Sequence, residues 1–278
     1  MIRAYHPVAG VQSAQGLDVS DFQGACNWAG AVKAYPGLAF GVFRLTQGLG
    51  APGTVSPDPD AAWNHAQIRD NGLRRGAYHF LDPRLDGAAQ ARYFTGAHDR
   101  LGFTGKDMLF CDNETAGSSP QAVAACAEAF MAELVALRPH NPVGVYTYIN
   151  FANEGNCAGL ERYPLWLAYP AASAPKPPPP WVAWTFWQWG QRNGIDADAF
   201  NGTIAGLDAW IASFQPPAGP PYRHLTRAGD TLGGLAASRN ASLEHFLSRS
   251  AVDYQPADEA ALAAAKLPAG IPYYTENP

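Results

Sequence analysis

Short apolar segments and amphipathic segments alternate along most of the chain. The short segments predict buried strands at 16–20, 38–45, 76–80, 108–111, 143–148, 165–169, 184–189 and 195–196. Between the first five of them, a spacing of apolar residues three or four apart and good helix-start residues predict helices at 28–35, 58–71, 86–98 and 119–137. Asp58 with Pro59, and Ser119 with Pro120, are the expected first residues of two of these helices.

Alternation of strand and helix in the first half of the chain implies a parallel sheet. The second half has strands with few helices between them. Eight strands in this order predict an α/β fold, a modified TIM-like (β/α) barrel with an irregular second half. In such barrels the functional side chains lie at the C-terminal ends of the strands, and Asp18, Asp112, Glu114 and Asp196 are expected there.

Composition divides the chain into two parts. Its 278 residues, 47% of them hydrophobic, suffice for one large domain and a small one. Residues 1–214 are predicted to form the barrel, and 215–221, with four prolines, a semi-rigid linker. Residues 222–278 are predicted to form a small α+β unit of βααβ order, with a strand at 222–226, helices at 231–238 and from 242, and a returning strand near 267–274.

Charge and sequence motifs exclude several classes of protein. A net charge of -5 argues against a nucleic-acid partner, and no apolar segment reaches the ~18 residues of a membrane span. Residues 1–15 contain no apolar segment of the kind found in secretory signal peptides. The four cysteines have no metal-ligand spacing, so we expect reduced thiols, no metal and no cofactor. We expect a monomer.

The acid pair Asp112 and Glu114 carries the chemistry. Residues i and i+2 of a strand share a face, which places the two Cα atoms roughly 6.5 Å apart. Two such acids interact, so we expect one to ionise easily and the other to keep its proton to higher pH. Glycoside hydrolysis needs that combination, with Glu114 as general acid and Asp112 as ionised partner. Whether Asp112 attacks, orients an acetamido group or stabilises positive charge stays open, as does a retaining, inverting or substrate-assisted course.

Other residues near the same strand ends are candidates for substrate binding. Asp18 and Asp196 are expected as supporting acids, because the first and eighth strands become neighbours when a barrel closes. Aromatic rings stack on the apolar faces of sugars, although plain core packing is the alternative for each of them. The candidates are Tyr78, Tyr146, Tyr148, Trp166 and Trp187. We expect His79 to be a structural histidine and not a base.

Residues 16–202 resemble the glycoside hydrolase family 25 lysozymes, also called the Chalaropsis type. The resemblance is carried, in the order of the family, by Gly16-Leu17-Asp18-Val19-Ser20, Gln23-Gly24, Trp28, Gly76-Ala77-Tyr78-His79-Phe80, Asp112-Asn113-Glu114, Val145-Tyr146-Thr147, Leu165-Trp166-Leu167-Ala168, Trp187-Gln188, Asp196 and Phe200-Asn201-Gly202. It implies a modified barrel that cleaves the β-1,4 bond between N-acetylmuramic acid and N-acetylglucosamine in peptidoglycan, with Gln188 in the substrate site. One departure is Gln47, where the family usually has a glutamate, so the pH optimum or rate is expected to differ.

Residues 222–276 resemble a LysM domain, a βααβ module that binds glycans containing N-acetylglucosamine. The matching segments are 226–232, 235–236, 240–243 and 267–270, whereas 253–265 is longer than the usual second loop. The alternative is a generic helical cap. Together the two resemblances imply a wall hydrolase with a wall-binding module. The setting that we expect is a phage endolysin, held in the host cytoplasm until it reaches the wall, and the alternative is an extracellular or wall-located enzyme.

Two other functions stay open at this point. One is a catalytically inactive carbohydrate-binding protein on the same barrel, against which the intact acid pair argues. The other is a hydrolase of a different bond, in chitin or on the N-acetylglucosaminyl side of peptidoglycan.

Overall fold

A computed structural model describes residues 13–50, 56–170 and 175–215, together with 224–225, 231, 234 and 272–273. The chain divides into two compact units, Met1–Gln215 and Pro216–Pro278. The predicted linker began at Gln215, but the side-chain amide of this residue donates to the carbonyl oxygens of Gly105 at 2.7 Å and His140 at 2.9 Å. Gln215 is therefore the last residue of the first unit.

Eight strands close the first unit into a barrel in chain order. The first seven run parallel, and the eighth is antiparallel to both of its neighbours. The predicted α/β barrel is thus confirmed. The strands are β1 Gln15–Val19, β2 Leu38–Gln47, β3 Arg74–Phe80, β4 Met108–Asp112, β5 Val143–Tyr148, β6 Leu165–Ala168, β7 Phe186–Arg192 and β8 Ile195–Phe200.

Helices cover the barrel mainly in its first half, as predicted. They are α1 Trp28–Ala34, α2 Ala61–Asp70, α3 Gly87–Arg100, α4 Pro120–Leu137, the short α5 Ile149–Phe151 and α6 Ile204–Ala212. A π-helical turn, Ala152–Asn156, follows α5. The Ser119 hydroxyl accepts from the backbone N–H of Ala122 at 3.2 Å, which confirms the predicted start of α4. Neither α6 nor the π-helical turn was predicted.

The predicted start of α2 at Asp58 is wrong. The helix begins at Ala61, because the Asp58 carboxylate is used elsewhere. It accepts from the backbone N–H groups of Asp21 at 2.8 Å and Asp60 at 3.0 Å, and it pairs with Arg44 at 3.2 Å. Asp58, which has the sequence features of an N-cap residue, instead pairs with the buried guanidinium of Arg44.

The reversed direction of β8 corrects another expectation. Asp196 is the second residue of β8 and not near its C-terminal end. The turn Asn193-Gly194, with φ angles of 51° and 77°, joins β7 to β8 as a hairpin of the Asn-Gly type. Because β8 runs backwards, Asp196 still lies opposite Asp18, at the end of the barrel where the parallel strands finish.

Alternation of side chains along the strands separates two apolar layers. One layer fills the barrel and includes Phe40, Phe110 and Phe186, and the other packs the strands against the helices. Cys111 belongs to the outer layer, so it faces away from Asp112 as predicted. All four cysteines are free thiols.

By length and composition, α4 could cross a membrane, and within the described part of the chain no other helix could. Its buried residues, which include Val123, Phe130 and Leu134, pack in the outer layer of the barrel. It is therefore a core helix of the fold.

The second unit is described at a few positions only. His224–Leu225 (β9) pairs antiparallel with Pro272–Tyr273 (β10). The two helices predicted between them, at 231–238 and from 242, lie outside the described residues apart from positions 231 and 234.

Three buried histidines lie in the outer layer. His79 is fully buried, with its two ring nitrogens 2.8 Å from the Thr46 hydroxyl and 3.1 Å from the Gln90 side-chain oxygen, as expected for a structural histidine. His98 stacks on Phe103, with ring centroids 4.1 Å apart, and neither of its ring nitrogens has a hydrogen-bond partner among the residues that the structure describes. Burial lowers the pKa of His65, His79 and His98 to about 4.

We predict that His98→Phe weakens the acid sensitivity of the fold. The pKa of His98 is about 6.5 in the unfolded chain and about 4 in the folded protein. Between these two pH values the unfolded chain binds a proton that the folded protein does not bind, so the unfolding free energy falls as the pH is lowered. Phenylalanine cannot titrate and loses no hydrogen bond. Urea unfolding at about pH 7 and about pH 4.5 should show a fall in unfolding free energy that is smaller by about 2 kcal/mol in the variant. An equal fall in both proteins would contradict the prediction.

Candidate active site

A cavity of about 210 Å³ opens at the end of the barrel where the parallel strands finish. All four predicted acids line it, and its walls come from every strand. The lining residues are Asp18, Ser20, Phe22, Gln23, Arg44, Tyr78, Phe80, Asp112, Glu114, Tyr146, Trp166, Gln188 and Asp196. Eight of these residues are predicted site residues. Seven of the eight lie on the strands, and the eighth, Glu114, follows the last residue of β4 by two positions.

Strand register brings the acids together. In the β1–β8 pair Asp18 lies opposite Asp196, and in the β4–β5 pair Asp112 lies opposite Tyr146. Closure of the barrel is what makes the first pair possible, because the two residues are far apart in sequence. The expectation that Asp18 and Asp196 share one pocket is confirmed.

Asn113 fixes the orientation of the acid pair. Its backbone N–H donates to the carbonyl of Tyr146 at 2.9 Å, which continues the β4–β5 ladder beyond the end of the strand. Its buried side-chain amide donates to the carbonyl of Asn156, in the π-helical turn, at 3.1 Å. Since neighbouring side chains of an extended segment point to opposite sides, Asp112 and Glu114 face the cavity. The sequence analysis assigned no role to Asn113, because its partner belongs to a turn that was not predicted.

A chain of hydrogen bonds crosses the cavity wall to Asp18. The Tyr146 hydroxyl donates to the side-chain oxygen of Gln188 at 3.0 Å, and the Gln188 amide donates to Asp18 Oδ2 at 2.8 Å. Gln188 therefore links a predicted aromatic residue to a predicted acid. This contact stabilises the ionised form of Asp18.

Within the described ranges of the chain, Arg44 is the one cationic side chain that lines the cavity. It is buried, and its guanidinium pairs with the carboxylates of Asp21 and Asp58. The positive charge of Arg44 is thus balanced mainly by Asp21 and Asp58, which are not among the predicted catalytic acids. Arg44 was not among the predicted site residues, and nothing in the local sequence indicates its two partners.

Burial raises the pKa of both members of the acid pair. The pKa of Asp112, which is 6% exposed, lies well above its usual range because of burial, followed by the charges of Glu114 and Asp18. The pKa of the half-buried Glu114 is raised by burial and then by the charge of Asp196. The expectation that Asp112 ionises easily is therefore wrong. The reason is that the nearest cation, Arg44, is shared with two other carboxylates and only partly offsets the burial.

Asp18 titrates within the physiological range. Burial and the charge of Asp196 raise its pKa to about 7, and hydrogen bonds to Gln188 and Asp198 oppose this rise. Asp198 was not among the predicted site residues, although it shares a strand face with Asp196. Each carboxyl group in the cavity therefore makes ionisation of its neighbours less favourable.

Three of the five predicted aromatic residues line the cavity, namely Tyr78, Tyr146 and Trp166. The indole N–H of Trp187 donates to the carbonyl of Tyr169 at 2.8 Å, and its neighbour Gln188 faces the cavity, so Trp187 faces the other side of β7. Tyr148, the last residue of β5, lies outside the lining and packs on Phe151.

Two aromatic residues that were not predicted also line the cavity. They are Phe22, which is 87% exposed, and Phe80. Gln47 ends β2 and is not part of the lining, and its backbone N–H donates to the Ser56 hydroxyl at 2.8 Å.

A closed barrel with an acid pair of raised pKa at the C-terminal end of its parallel strands has the groups that glycoside hydrolysis requires. The comparisons with known proteins agree. Residues 17–198 match the family described as Glycosyl hydrolases family 25, and the chain belongs to this family.

Its relatives include a lysozyme and a muramidase. Lysozyme M1 of Streptomyces globisporus is 31% identical over 218 residues, which cover 72% of this chain and 71% of that protein. The N,O-diacetylmuramidase of a Chalaropsis species is 34% identical over 204 residues, which cover 68% of this chain and 91% of the relative.

Solved structures show the same barrel. A bacterial lysozyme from Streptomyces coelicolor has a TM-score of 0.62 at 29% identity, and the match covers 73% of this chain and 99% of that one. A muramidase from Trichobolus zukalii has a TM-score of 0.62 at 27% identity, with 72% of this chain and all of that chain covered (100%).

We predict that Asp196→Asn moves the pH profile of glycan cleavage to lower pH. The charge of Asp196 disfavours ionisation of Glu114 and Asp18, so its removal lowers the pKa of each. Asparagine keeps the oxygen that accepts from Gln191. The alkaline limb of kcat/KM should then move to lower pH, because the general acid loses its proton earlier. Asp208→Asn, a surface change at the partner of Arg74, is the control. A profile that moves in neither limb would contradict the electrostatic coupling.

Proposed function

We propose that this chain is an N-acetylmuramidase that hydrolyses the β-1,4 bond between N-acetylmuramic acid and N-acetylglucosamine in peptidoglycan. The observation that carries the proposal is the pair Asp112 and Glu114, which faces the cavity with raised pKa values. Two relatives, a lysozyme and a diacetylmuramidase, support the same substrate.

Glu114 is the proposed general acid. A general acid must hold a proton at the working pH and reach the glycosidic oxygen. Burial and the charge of Asp196 raise the pKa of Glu114, and its side chain is only half-buried, so it meets both conditions. In the reaction its proton passes to the oxygen of the leaving sugar as the glycosidic bond breaks.

Asp112 is proposed to orient the 2-acetamido group of the substrate. A carboxyl that burial keeps protonated is a poor nucleophile, which argues against direct attack. Its Oδ1 is buried and has no hydrogen-bond partner in the described part of the protein. An acetamido N–H is the donor that this oxygen lacks. The acetamido oxygen would then attack the anomeric carbon as the bond to the leaving sugar breaks, which is the substrate-assisted course. Water would open the resulting oxazolinium ring at the anomeric carbon and return a proton to the Glu114 carboxylate.

Asp18 and Asp196 are proposed to stabilise positive charge at the anomeric carbon. They lie opposite each other at the β1–β8 pair, and both line the cavity. Among the aromatic residues, Trp166 is 2% exposed and forms part of the cavity floor, whereas Phe22 is 87% exposed. Phe22 is therefore the proposed platform for a sugar face, beside the hydroxyl groups of Tyr78 and Tyr146.

We predict that Glu114→Gln abolishes wall lysis and leaves the fold intact. The amide has nearly the same shape but cannot donate the proton, so the rate should fall by roughly 10²–10⁴-fold. Glu161→Gln, an exposed position ahead of β6, is the matched control and should keep full activity. Turbidity loss of purified walls measures lysis, and thermal unfolding checks the fold. Retention of more than half the activity by Glu114→Gln would remove this residue from the role.

Product analysis separates the proposal from its alternatives. A muramidase releases fragments with N-acetylmuramic acid at the reducing end, which mass spectrometry of borohydride-reduced products identifies. Reducing-end N-acetylglucosamine would indicate cleavage on the other side of the repeating disaccharide. Wall binding without any product would indicate an inactive carbohydrate-binding protein.

We propose that the second unit is a LysM-type wall-binding module. The family match ends at residue 198, so this unit lies outside the catalytic family. The antiparallel pairing of β9 with β10 supports a βααβ order, in which the first and last strands pair. The four prolines of 216–221 predict a semi-rigid tether, which would raise the concentration of the catalytic unit at the wall.

We predict that a chain of residues 1–215 cleaves soluble glycan fragments as fast as the whole protein but lyses walls more slowly. Loss of the tethered module removes the gain in local concentration, so the rate on whole walls should fall roughly tenfold or more. The soluble substrate serves as the internal control. Residues 222–278 alone should sediment with insoluble peptidoglycan. No sedimentation, together with unchanged wall lysis by the shortened chain, would refute the module.

We further propose that the enzyme serves as a phage endolysin, which accumulates in the host cytoplasm and reaches the wall through a separate membrane pore. A lysozyme activity and a wall-binding unit are what this role requires. Cytoplasmic expression followed by membrane permeabilisation tests it. Lysis should follow permeabilisation only, and lysis without it would contradict the setting.

A further inference from the structure

Asp198 lies behind the cavity and not in its lining. It is the fourth residue of β8, is fully buried at 0% exposure, and lies opposite Gln188 in the β7–β8 pair. Its Oδ1 accepts from the indole N–H of Trp166 at 2.9 Å. In the β1–β8 pair Asp198 shares a strand face with Asp196, which lies opposite Asp18, and this diagonal register puts the Asp198 carboxyl beside that of Asp18. Asp198 therefore touches two residues that line the cavity, one acidic and one aromatic.

The contact between Asp198 and Asp18 requires a proton. Two carboxylates repel each other, and the buried Oδ2 of Asp198 has no N–H or O–H donor among the described residues. Arg44 does not contact either group, since it pairs with Asp21 and Asp58. A proton shared between the two carboxyls turns this repulsive contact into a hydrogen bond.

The proton belongs on Asp198. Asp18 already accepts from the Gln188 amide at 2.8 Å, which favours its ionised form. Asp198 is more deeply buried than Asp18, at 0% against 7% exposure, and burial penalises its ionised form more. In agreement, burial and the charge of Asp18 hold the pKa of Asp198 well above its usual range.

We propose that Asp198 is a positioning residue, a permanently protonated carboxyl that donates to Asp18 and accepts from Trp166. In this arrangement it holds Asp18 in its ionised form, facing the anomeric centre, and fixes the indole of Trp166 in the cavity floor. Its effect on the rate rests on the proposed function, whereas its protonation state does not.

The pH dependence of Asp18 involves more groups than Asp198. The titratable and charged side chains that face it come from β2, β3, β4, β5 and β8, and from the segment after β4. They are Arg44, Tyr78, Asp112, Tyr146, Asp196 and Glu114. All of them are unchanged in the variants below, so a difference between these variants reports on Asp198.

Two substitutions at Asp198 test whether its role is that of a neutral hydrogen-bond donor or of a charged group. Asp198→Ala removes the donor to Asp18 and leaves the Trp166 N–H unpaired. We expect kcat to fall at least roughly tenfold, with a smaller change in KM, and the acidic limb of the profile to move to higher pH. Asp198→Asn supplies an amide that donates to Asp18 and an oxygen that accepts from Trp166. It should recover most of the lost activity and the original acidic limb.

The protonation state is read directly by carbon-13 NMR of the aspartate carboxyl groups in the free, full-length protein. Across neutral pH the signal of Asp198 should stay that of a protonated carboxyl while the signal of Asp18 titrates. In Asp198→Asn the Asp18 titration should stay near its original midpoint. Asp70→Asn, at the exposed partner of Arg69, is the control and should change neither measurement.

The outcomes distinguish the two proposals. If the wild-type protein cleaves no glycan, the proposed function is wrong. The NMR titration still shows whether the Asp198 carboxyl is protonated. An active wild type in which Asp198→Asn loses as much as Asp198→Ala, with the Asn variant folded, overturns the inference. An Asp198 carboxyl that ionises before Asp18 overturns it too, even where the Ala variant fails to fold.

Discussion

The cost of burying several carboxyl groups in one cavity governs the rest of this structure. A buried carboxylate needs a cation or several donors, and here Arg44 is already paired with Asp21 and Asp58. The protein compensates by keeping protons on its acids, which is why the pKa values of Asp112 and Glu114 are raised together. A site that retains protons near neutral pH is suited to donating one to a glycosidic oxygen.

The fold creates this crowding through barrel closure. Asp18 and Asp196 come from the first and last strands of the barrel, and they meet because β8 pairs antiparallel with β1. A hairpin at Asn193-Gly194 achieves the reversal within two residues. Hydrogen bonds then set the orientation of each group, with Gln188 reaching Asp18 from β7 and Asn113 anchored to the π-helical turn.

The sequence predicted correctly those features that depend on one strand or helix alone. Periodicity predicted the strands, and the residue pattern of 112–114 predicted an acid pair facing one cavity. It was uninformative where the partner lies elsewhere in the chain. Asp58 has the features of an N-cap, but its partner is a buried arginine on β2, and the ease of ionisation of Asp112 depends on that same arginine. Such contacts depend on barrel closure, which no local pattern encodes.

The place where the chain leaves the barrel has a practical consequence. Gln215 is held by carbonyl groups of Gly105 and His140, which precede β4 and β5 and so lie at the end of the barrel away from the cavity. The residues that line the cavity all precede Gln215, and the chain leaves the barrel at the opposite end. A change of sequence after Gln215 therefore replaces none of the groups that hold the acids in place.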